Sequence, residues 1–116
     1  MTSKPKAART KTQTVDDVLS ALADPQRRKV VDVLRAGPRS AGDLSRMVGV
    51  SAPAMSRHLR LLKGSGIVSE THPEYDARVR VYALRAESLG ALKDWLATTE
   101  RLWADQLAAF KKHLER

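Results

Sequence analysis

Apolar positions recur with a helical period along three segments in the first half of the chain. The first segment begins near Thr14, a residue able to cap a helix, and its apolar face consists of Val15, Val18, Leu19 and Leu22. The second covers residues 25–36, between an Asp-Pro start signal and a Gly-Pro stop signal. The third is short and lies between Ser40 and Gly49. The pattern therefore predicts three helices in succession.

A fourth helix is predicted over residues 51–63, SAPAMSRHLRLLK. Ser51 can cap it, and Pro53 is tolerated because it falls in the first turn, where a backbone N–H has no partner in the helix. Its inward-facing positions, spaced i, i+4 and i+7, are Met55, Leu59 and Leu62. Two short helices joined by a Gly-Val turn form a helix-turn-helix pattern, in which the second helix enters a DNA groove.

The period changes after the fourth helix. Residues 67–72 and 78–84 predict the two strands of a β-hairpin, so that residues 67–84 form a wing. From residue 87 to 114, apolar residues recur at the spacing of a long helix with one apolar face, which needs a partner. The predicted fold class is mainly α with a β-hairpin wing: a winged helix-turn-helix domain over residues 15–114.

Charge favours an anionic polymer such as nucleic acid as the partner of this fold. The 116 residues carry a net charge of +8. Residues 1–14 hold four cations and no acid, which predicts a disordered basic arm, and residues 44–69 form a second acid-free window. Whether the arm contacts DNA stays open. The composition, 42% hydrophobic and 29% charged, is that of one soluble domain.

Several function classes are disfavoured by residues that the sequence lacks. There is no Cys, so disulfides and thiolate metal sites are excluded, and we expect neither a metal nor another cofactor. No apolar run reaches the roughly 18 residues of a membrane span, and the N-terminus lacks a secretory signal, so a cytoplasmic location is expected. No nucleophile elbow, phosphate loop or carboxylate pair predicts an enzyme.

The outer face of the fourth helix provides the candidate DNA contacts. Arg57 can read guanine with two hydrogen bonds, whereas Arg60 is better placed for a backbone phosphate. On the wing, Arg78 and Arg80 stand two residues apart on one predicted strand and so project to one face. His58 is either a structural residue or a phosphate donor. The predicted DNA-binding residues are Ser51, Ala52, Ser56, Arg57, Arg60, Arg78 and Arg80.

The apolar faces of the first and last helices provide the candidate dimer interface. The residues predicted to form it are Val15, Leu19, Leu92, Leu96, Trp103, Leu107 and Phe110. Aromatic residues at helical spacing most often belong to a core or an interface. For Trp95, Trp103 and Phe110, the alternative is a ligand pocket between two subunits.

Three stretches of the chain resemble the ArsR-like family of bacterial winged helix-turn-helix repressors. They are ALADPQRRKVVDVL, SAPAMSRHLRLLKGSGIV and a hairpin ending in VRVYAL, followed by an amphipathic last helix. The resemblance covers residues 15–114. It implies a homodimer that is held by its first and last helices, binds a pseudo-palindromic DNA operator and represses transcription of its own or a neighbouring operon.

The resemblance does not extend to the metal-sensing motifs of that family. The third predicted helix, AGDLSRMVG, has no thiol, and the last helix has no i, i+4 pair of histidines. We therefore expect a regulator that is not a thiol-based metal sensor, and the sequence specifies no small-molecule inducer. Two alternatives remain: a nucleoid-type protein that binds DNA with little specificity, and a protein-interaction module that uses the last helix.

Overall fold

The computed structural model describes residues 11–85, 87 and 89–115. In this part of the chain, five helices and three short strands follow one another. They are α1 (Lys11–Leu22), α2 (Pro25–Leu34), β1 (Arg39–Ser40), α3 (Ala41–Val48), α4 (Ala52–Gly64), β2 (Val68–Thr71), β3 (Val81–Leu84) and α5 (Leu89–Leu114). The predicted mainly α fold with a β-hairpin wing is confirmed.

Polar caps fix where three of the helices begin. The carboxylate of Asp24 accepts the backbone N–H of Gln26 at 2.7 Å, and this bond is the largest cause that lowers the pKa of Asp24. Ser40 accepts the N–H of Asp43 at the start of α3, and Ser51 accepts that of Ala54 at the start of α4. The predicted starts of all three helices are confirmed.

Two predicted helix boundaries are wrong. Helix α1 begins at Lys11, one turn before Thr14, so residues 11–14 are helical and do not belong to a disordered arm. No Gly or Pro interrupts this segment, and Lys and Gln are good helix formers. The rest of the predicted arm, residues 1–10, lies outside the described residues. Helix α2 ends at Leu34 and not near residue 36, because Ala36 and Gly37 donate to the carbonyls of Val33 and Leu34 in tighter i→i−3 turns.

The core lies between the first four helices and the sheet. Its buried residues are Val18, Ala21, Val30, Leu34, Leu44, Met55, Leu59, Leu62, Ile67, Val68 and Tyr82. Met55, Leu59 and Leu62 are at most 2% exposed, so the predicted inward face of α4 is confirmed. Burying one such side chain contributes about 1.5–3 kcal/mol of hydrophobic free energy. These contacts hold α4 by one face and leave the other to solvent.

The sheet has three antiparallel strands in the order β1-β3-β2. Strand β1 was not predicted, because two residues carry no detectable alternation; it pairs Arg39 with Tyr82. The hairpin strands are shorter than predicted, and Arg78 and Arg80 precede β3. The prediction that both lie on one strand is therefore wrong. Asp76 accepts the backbone N–H of Arg78 and continues the turn past the predicted strand start.

Helix α5 packs on α1 and has no buried residue. Its 26 residues correspond to a length of about 39 Å at 1.5 Å per residue, more than twice that of the 12-residue α1. Its C-terminal half therefore extends past its neighbour in the same chain. The large side chains exposed along it include Leu96, Leu102, Trp103, Leu107, Phe110 and Leu114.

Candidate nucleic-acid interface

The outer face of α4 presents small and cationic side chains to solvent. Because Met55, Leu59 and Leu62 point into the core, Ala52, Arg57 and Arg60 are exposed on the other side. Ser56 is half-buried and lies at the edge of this face. Ser51 uses its hydroxyl oxygen to accept the N–H of Ala54, so its O–H remains available to donate to a phosphate. The predicted residues of α4 thus share one surface.

Arg57 and Arg60 differ from Arg46 and Lys63, the other Arg and Lys residues of α3 and α4. Within the described part of the chain, neither guanidinium has an ion pair or a side-chain hydrogen bond. Arg46, by contrast, pairs with Asp43 one turn earlier in α3, and Lys63 pairs with Glu70. The acid-free window in the sequence is therefore partly neutralised in space by acids just outside its two ends. Only the middle of the window keeps its full positive charge.

A cleft of about 230 Å³ separates α4 from the wing. Glu70 of β2 lies in it with a side chain that is 14% exposed, and its carboxylate accepts a hydrogen bond of 2.9 Å from Nζ of Lys63. This bond is the largest cause that lowers the pKa of Glu70, and the charges of Arg80 and His72 act in the same direction. Burial, followed by the charge of Glu70, raises the pKa of Tyr82. Arg80, one of the two predicted wing cations, therefore lies close enough to Glu70 for the two charges to interact.

The other predicted wing cation, Arg78, is 91% exposed and bound locally to Asp76. Its Nε lies 3.2 Å from Oδ1 of Asp76, and these hydrogen bonds lower the pKa of that carboxyl. The wing tip also exposes Tyr75, with 86% of its surface accessible. Sequence reasoning identified Glu70 as an acid that partly cancels the charge of the wing, but it missed the exposed Tyr75 and the pairing of Glu70 with Lys63. The spacing Lys63–Glu70 gives no local signal for a pair, because the two residues belong to different elements.

His58 has a structural role. Its Nε2 lies 2.9 Å from Oε1 of Gln26, and its Nδ1 lies 3.4 Å from a guanidinium nitrogen of Arg27. An imidazole with the proton on Nε2 donates to Gln26 and accepts from Arg27. Arg27 in turn donates Nε–H to the carbonyl of Ala21 at 2.6 Å, which satisfies a free carbonyl at the end of α1. Of the two open readings of His58, the contacts with α2 support the structural one.

The candidate dimer residues fall into two groups. Val15 is only 7% exposed and Leu92 is half-buried, so their own chain already covers most of their surface. The remaining predicted residues are 40–65% exposed: Leu19, Leu96, Trp103, Leu107 and Phe110. Along α5 the exposed residues form one apolar stripe. Trp103 and Phe110 lie seven residues apart in it, as do Leu107 and Leu114. Trp95 lies outside this stripe, on a neighbouring face.

Neither a three-residue metal cluster nor a membrane-spanning helix occurs among the described residues. Within this part of the chain, no three His, Asp or Glu side chains are grouped so that they could hold a metal ion. None of the helices that the structure describes has the length and hydropathy needed to cross a bilayer.

The helix-turn-helix formed by α3 and α4, followed by a β-hairpin and a long last helix, defines a winged helix-turn-helix protein. Comparison with known proteins places the chain more narrowly. The sequence profile described as "Bacterial regulatory protein, arsR family" matches residues 24–70. The chain belongs to the arsR family and is a transcriptional regulator with a winged helix-turn-helix DNA-binding fold.

Three known proteins illustrate this relationship. The HTH-type transcriptional regulator Rv2034 of Mycobacterium tuberculosis is 35% identical over 100 residues, which cover 86% of this chain and 88% of Rv2034. The transcriptional repressor SdpR of Bacillus subtilis is 38% identical over 56 residues, 48% of this chain and 62% of SdpR. An ArsR-like transcriptional regulator from Rhodococcus sp. RHA1 is 26% identical in sequence and superposes with a TM-score of 0.73, covering 87% of this chain and 92% of that one.

Proposed function

We propose that this protein is a homodimeric, cytoplasmic repressor that binds a pseudo-palindromic operator of its own or a neighbouring operon. The observation that carries the proposal is the outer face of α4, where Arg57 and Arg60 are exposed and have no partner among the described residues. An exposed cation without a local acid gains most from meeting a phosphate or a guanine. The similarity to the repressor SdpR supports repression as the outcome.

The roles of the DNA-binding residues follow from where they lie. Arg57, at the middle of the outer face, reads a base edge in the major groove, and the small Ala52 lets the start of α4 approach closely. Arg60 and the hydroxyl of Ser51 bind backbone phosphates, and Ser56 contacts the groove edge. Arg78 and Arg80 of the wing add contacts to the adjacent backbone, weakened by their acidic neighbours Asp76 and Glu70.

The exposed stripe of α5 supports the homodimer. Trp103, Leu107 and Phe110 are 59–65% exposed in one chain, and contiguous apolar surface of this kind marks an interaction site. A two-fold dimer presents two copies of α4, which reach successive major grooves when they lie about 34–36 Å apart. The contacts across the dimer come from Leu19, Leu96, Trp103, Leu107 and Phe110, with smaller contributions from Val15 and Leu92.

The proposal is tested by comparing binding to the DNA upstream of its own gene with binding to an unrelated fragment of equal length at physiological salt. An operator-reading repressor prefers the upstream DNA by roughly 10³-fold or more. Equal affinity for both fragments, with a steep fall as salt rises, would mean that charge alone carries binding. The protein would then be a nucleoid-type DNA-binding protein.

Sizing of the purified protein separates the homodimer from a protein-interaction module. The variant Trp95→Phe leaves Trp103 as the single tryptophan, so its fluorescence reports on that side chain alone. A dimer in which dissolved quenchers do not reach Trp103 supports the proposal. A monomer with Trp103 exposed would assign the α5 stripe to a different protein partner.

A further inference from the structure

A second cleft lies behind the outer face of α4. It is lined by the C-terminal half of α1, the first turn of α2 and the C-terminal end of α4, and its volume is about 230 Å³. About eight water molecules occupy this volume in the liquid, and the pockets that hold drug-sized ligands have larger volumes. Its polar lining includes two arginines, Arg27 and Arg60, and one acid, Asp17.

Arg27 forms a fixed cationic wall of this cleft. Its Nε donates to the carbonyl of Ala21 at 2.6 Å and its Nη2 to that of Ser20 at 3.4 Å, while Nη1 lies 3.4 Å from Nδ1 of His58. The side chain is only 15% exposed, and its Nη1 also forms an ion pair with Oδ2 of Asp24 at 3.8 Å. Because these bonds already hold the guanidinium, a ligand that meets it loses little affinity to the ordering of this side chain.

Arg60 and Asp17 bring unused charge to the same cleft. Neither has an ion pair or side-chain hydrogen bond within the described part of the chain. Arg27 is already paired with Asp24, so the unpaired charges of the lining, among the described residues, are those of Arg60 and Asp17. An oxyanion that also carries a hydroxyl complements these two groups: Arg60 binds the oxyanion, and Asp17 accepts the hydroxyl hydrogen.

We propose that the cleft binds a small hydroxylated oxyanion, either a phosphate ester or a carboxylate, and that this ligand competes with DNA for Arg60. The part of the inference that concerns DNA rests on the proposed function. A guanidinium that binds the ligand is withdrawn from the DNA backbone, so the ligand releases the protein from its operator. By linkage, operator DNA weakens ligand binding by the same factor.

Binding is tested first without DNA, by isothermal titration calorimetry on the full chain at constant ionic strength. The two probes are glycerol 3-phosphate and glycerate, which share hydroxyl groups and differ in the oxyanion, so their relative affinity shows which source the cleft prefers. We expect one saturable site per chain for at least one probe. Arg60→Ala and Asp17→Asn should each weaken binding about tenfold, the size of one charged hydrogen bond.

The matched control is Arg35→Ala, which removes an exposed cation outside the cleft. It should leave probe affinity unchanged. The inference is overturned if neither probe binds, or if Arg35→Ala weakens binding as much as Arg60→Ala does, because the attraction would then be diffuse.

A DNA titration separates this inference from the proposed function. With the probe at about ten times its wild-type Kd, operator affinity should fall about tenfold in the wild type and about twofold in Asp17→Asn, which binds the operator normally without probe. If the protein prefers the operator but binds neither probe, only the inference that the cleft is a ligand site is refuted. If it binds a probe but does not prefer the operator, the proposed function is refuted and the cleft remains a ligand site.

Discussion

Nζ of Lys63 donates a hydrogen bond of 2.9 Å to the carboxylate of Glu70 and thereby joins the last turn of α4 to the first strand of the wing. The two residues lie seven positions apart on different elements, so their pairing exists only in the folded domain. It links the helix to the hairpin, the two parts of the domain proposed to contact DNA. It also pairs one cation of that proposed surface with an acid.

Replacement of Glu70 by Gln should make stability depend less on pH. The pKa of Glu70 in the folded state lies below the ordinary value of 4.5, so its ionised form stabilises the fold above that pH. We expect Glu70→Gln to lower the free energy of unfolding by about 0.5–1 kcal/mol at neutral pH. The difference from the wild type should shrink as the pH falls below about 4.5 and through the folded-state pKa.

Urea denaturation at several pH values measures this effect. Glu74→Gln is the matched control, because Glu74 is exposed in the loop of the same hairpin and has no partner among the described residues. A constant difference between Glu70→Gln and the wild type from pH 7 to pH 3 would contradict the stabilising role of the Lys63–Glu70 pair.

The wing pair of Arg78 and Asp76 should modulate DNA affinity without changing sequence preference. Arg78→Ala removes one phosphate contact, so affinity for operator and random DNA should fall by the same factor and the salt slope by up to about 0.9. Asp76→Asn should have the opposite effect, because it frees Arg78 from its carboxylate partner. Fluorescence anisotropy at several salt concentrations measures both. A loss confined to the operator would assign base reading to Arg78.

His58 should contribute to stability but not to DNA recognition. His58→Ala removes the contacts with Gln26 and Arg27 that tie α4 to α2, at an expected cost of about 1–2 kcal/mol in unfolding free energy. The ratio of operator to random-DNA affinity should not change. His113→Ala, at the exposed end of α5, should leave thermal stability unaltered. A His58→Ala variant with normal stability and weaker DNA binding would instead support the phosphate-donor reading.

The apolar stripe of α5 should control dimerisation. Leu107→Asp places a charge inside the stripe, whereas Ala108→Asp places the same charge about 100° further around the helix, outside the stripe. Sedimentation equilibrium should show a weaker dimer for Leu107→Asp and a normal dimer for Ala108→Asp. Operator affinity should fall with the dimer, because the two copies of α4 then bind independently. Equal effects of the two variants would contradict an interface on this face.

The helices and their caps were predictable from the sequence because their signals are local. Asp24, Ser40 and Ser51 act within three residues of their own positions, and the apolar spacing of Met55, Leu59 and Leu62 determines which face of α4 is buried. The outer face with Arg57 and Arg60 follows from that spacing alone. The resemblance seen in the same stretches correctly identified the family.

The features that sequence reasoning missed depend on contacts between distant residues. Strand β1 exists because Arg39 and Ser40 pair with β3, some forty positions away, and two residues have no pattern of their own. Arg78 precedes β3 because the Asp76 turn continues past it, and the neutralisation of Lys63 depends on where the wing brings Glu70. The pairing of Lys63 with Glu70 therefore lowers the positive charge at one edge of the predicted interface.

The central claim is that Arg57, on the free face of α4, reads a base. It is tested by measuring how Arg57→Ala changes the ratio of operator to random-DNA affinity, with Arg46→Ala as control, since Arg46 is also exposed but paired with Asp43. We predict that Arg57→Ala lowers the difference in binding free energy between operator and random DNA by about 1–3 kcal/mol, and that Arg46→Ala leaves this difference unchanged. An Arg57→Ala variant that loses affinity equally for both DNAs would contradict the claim.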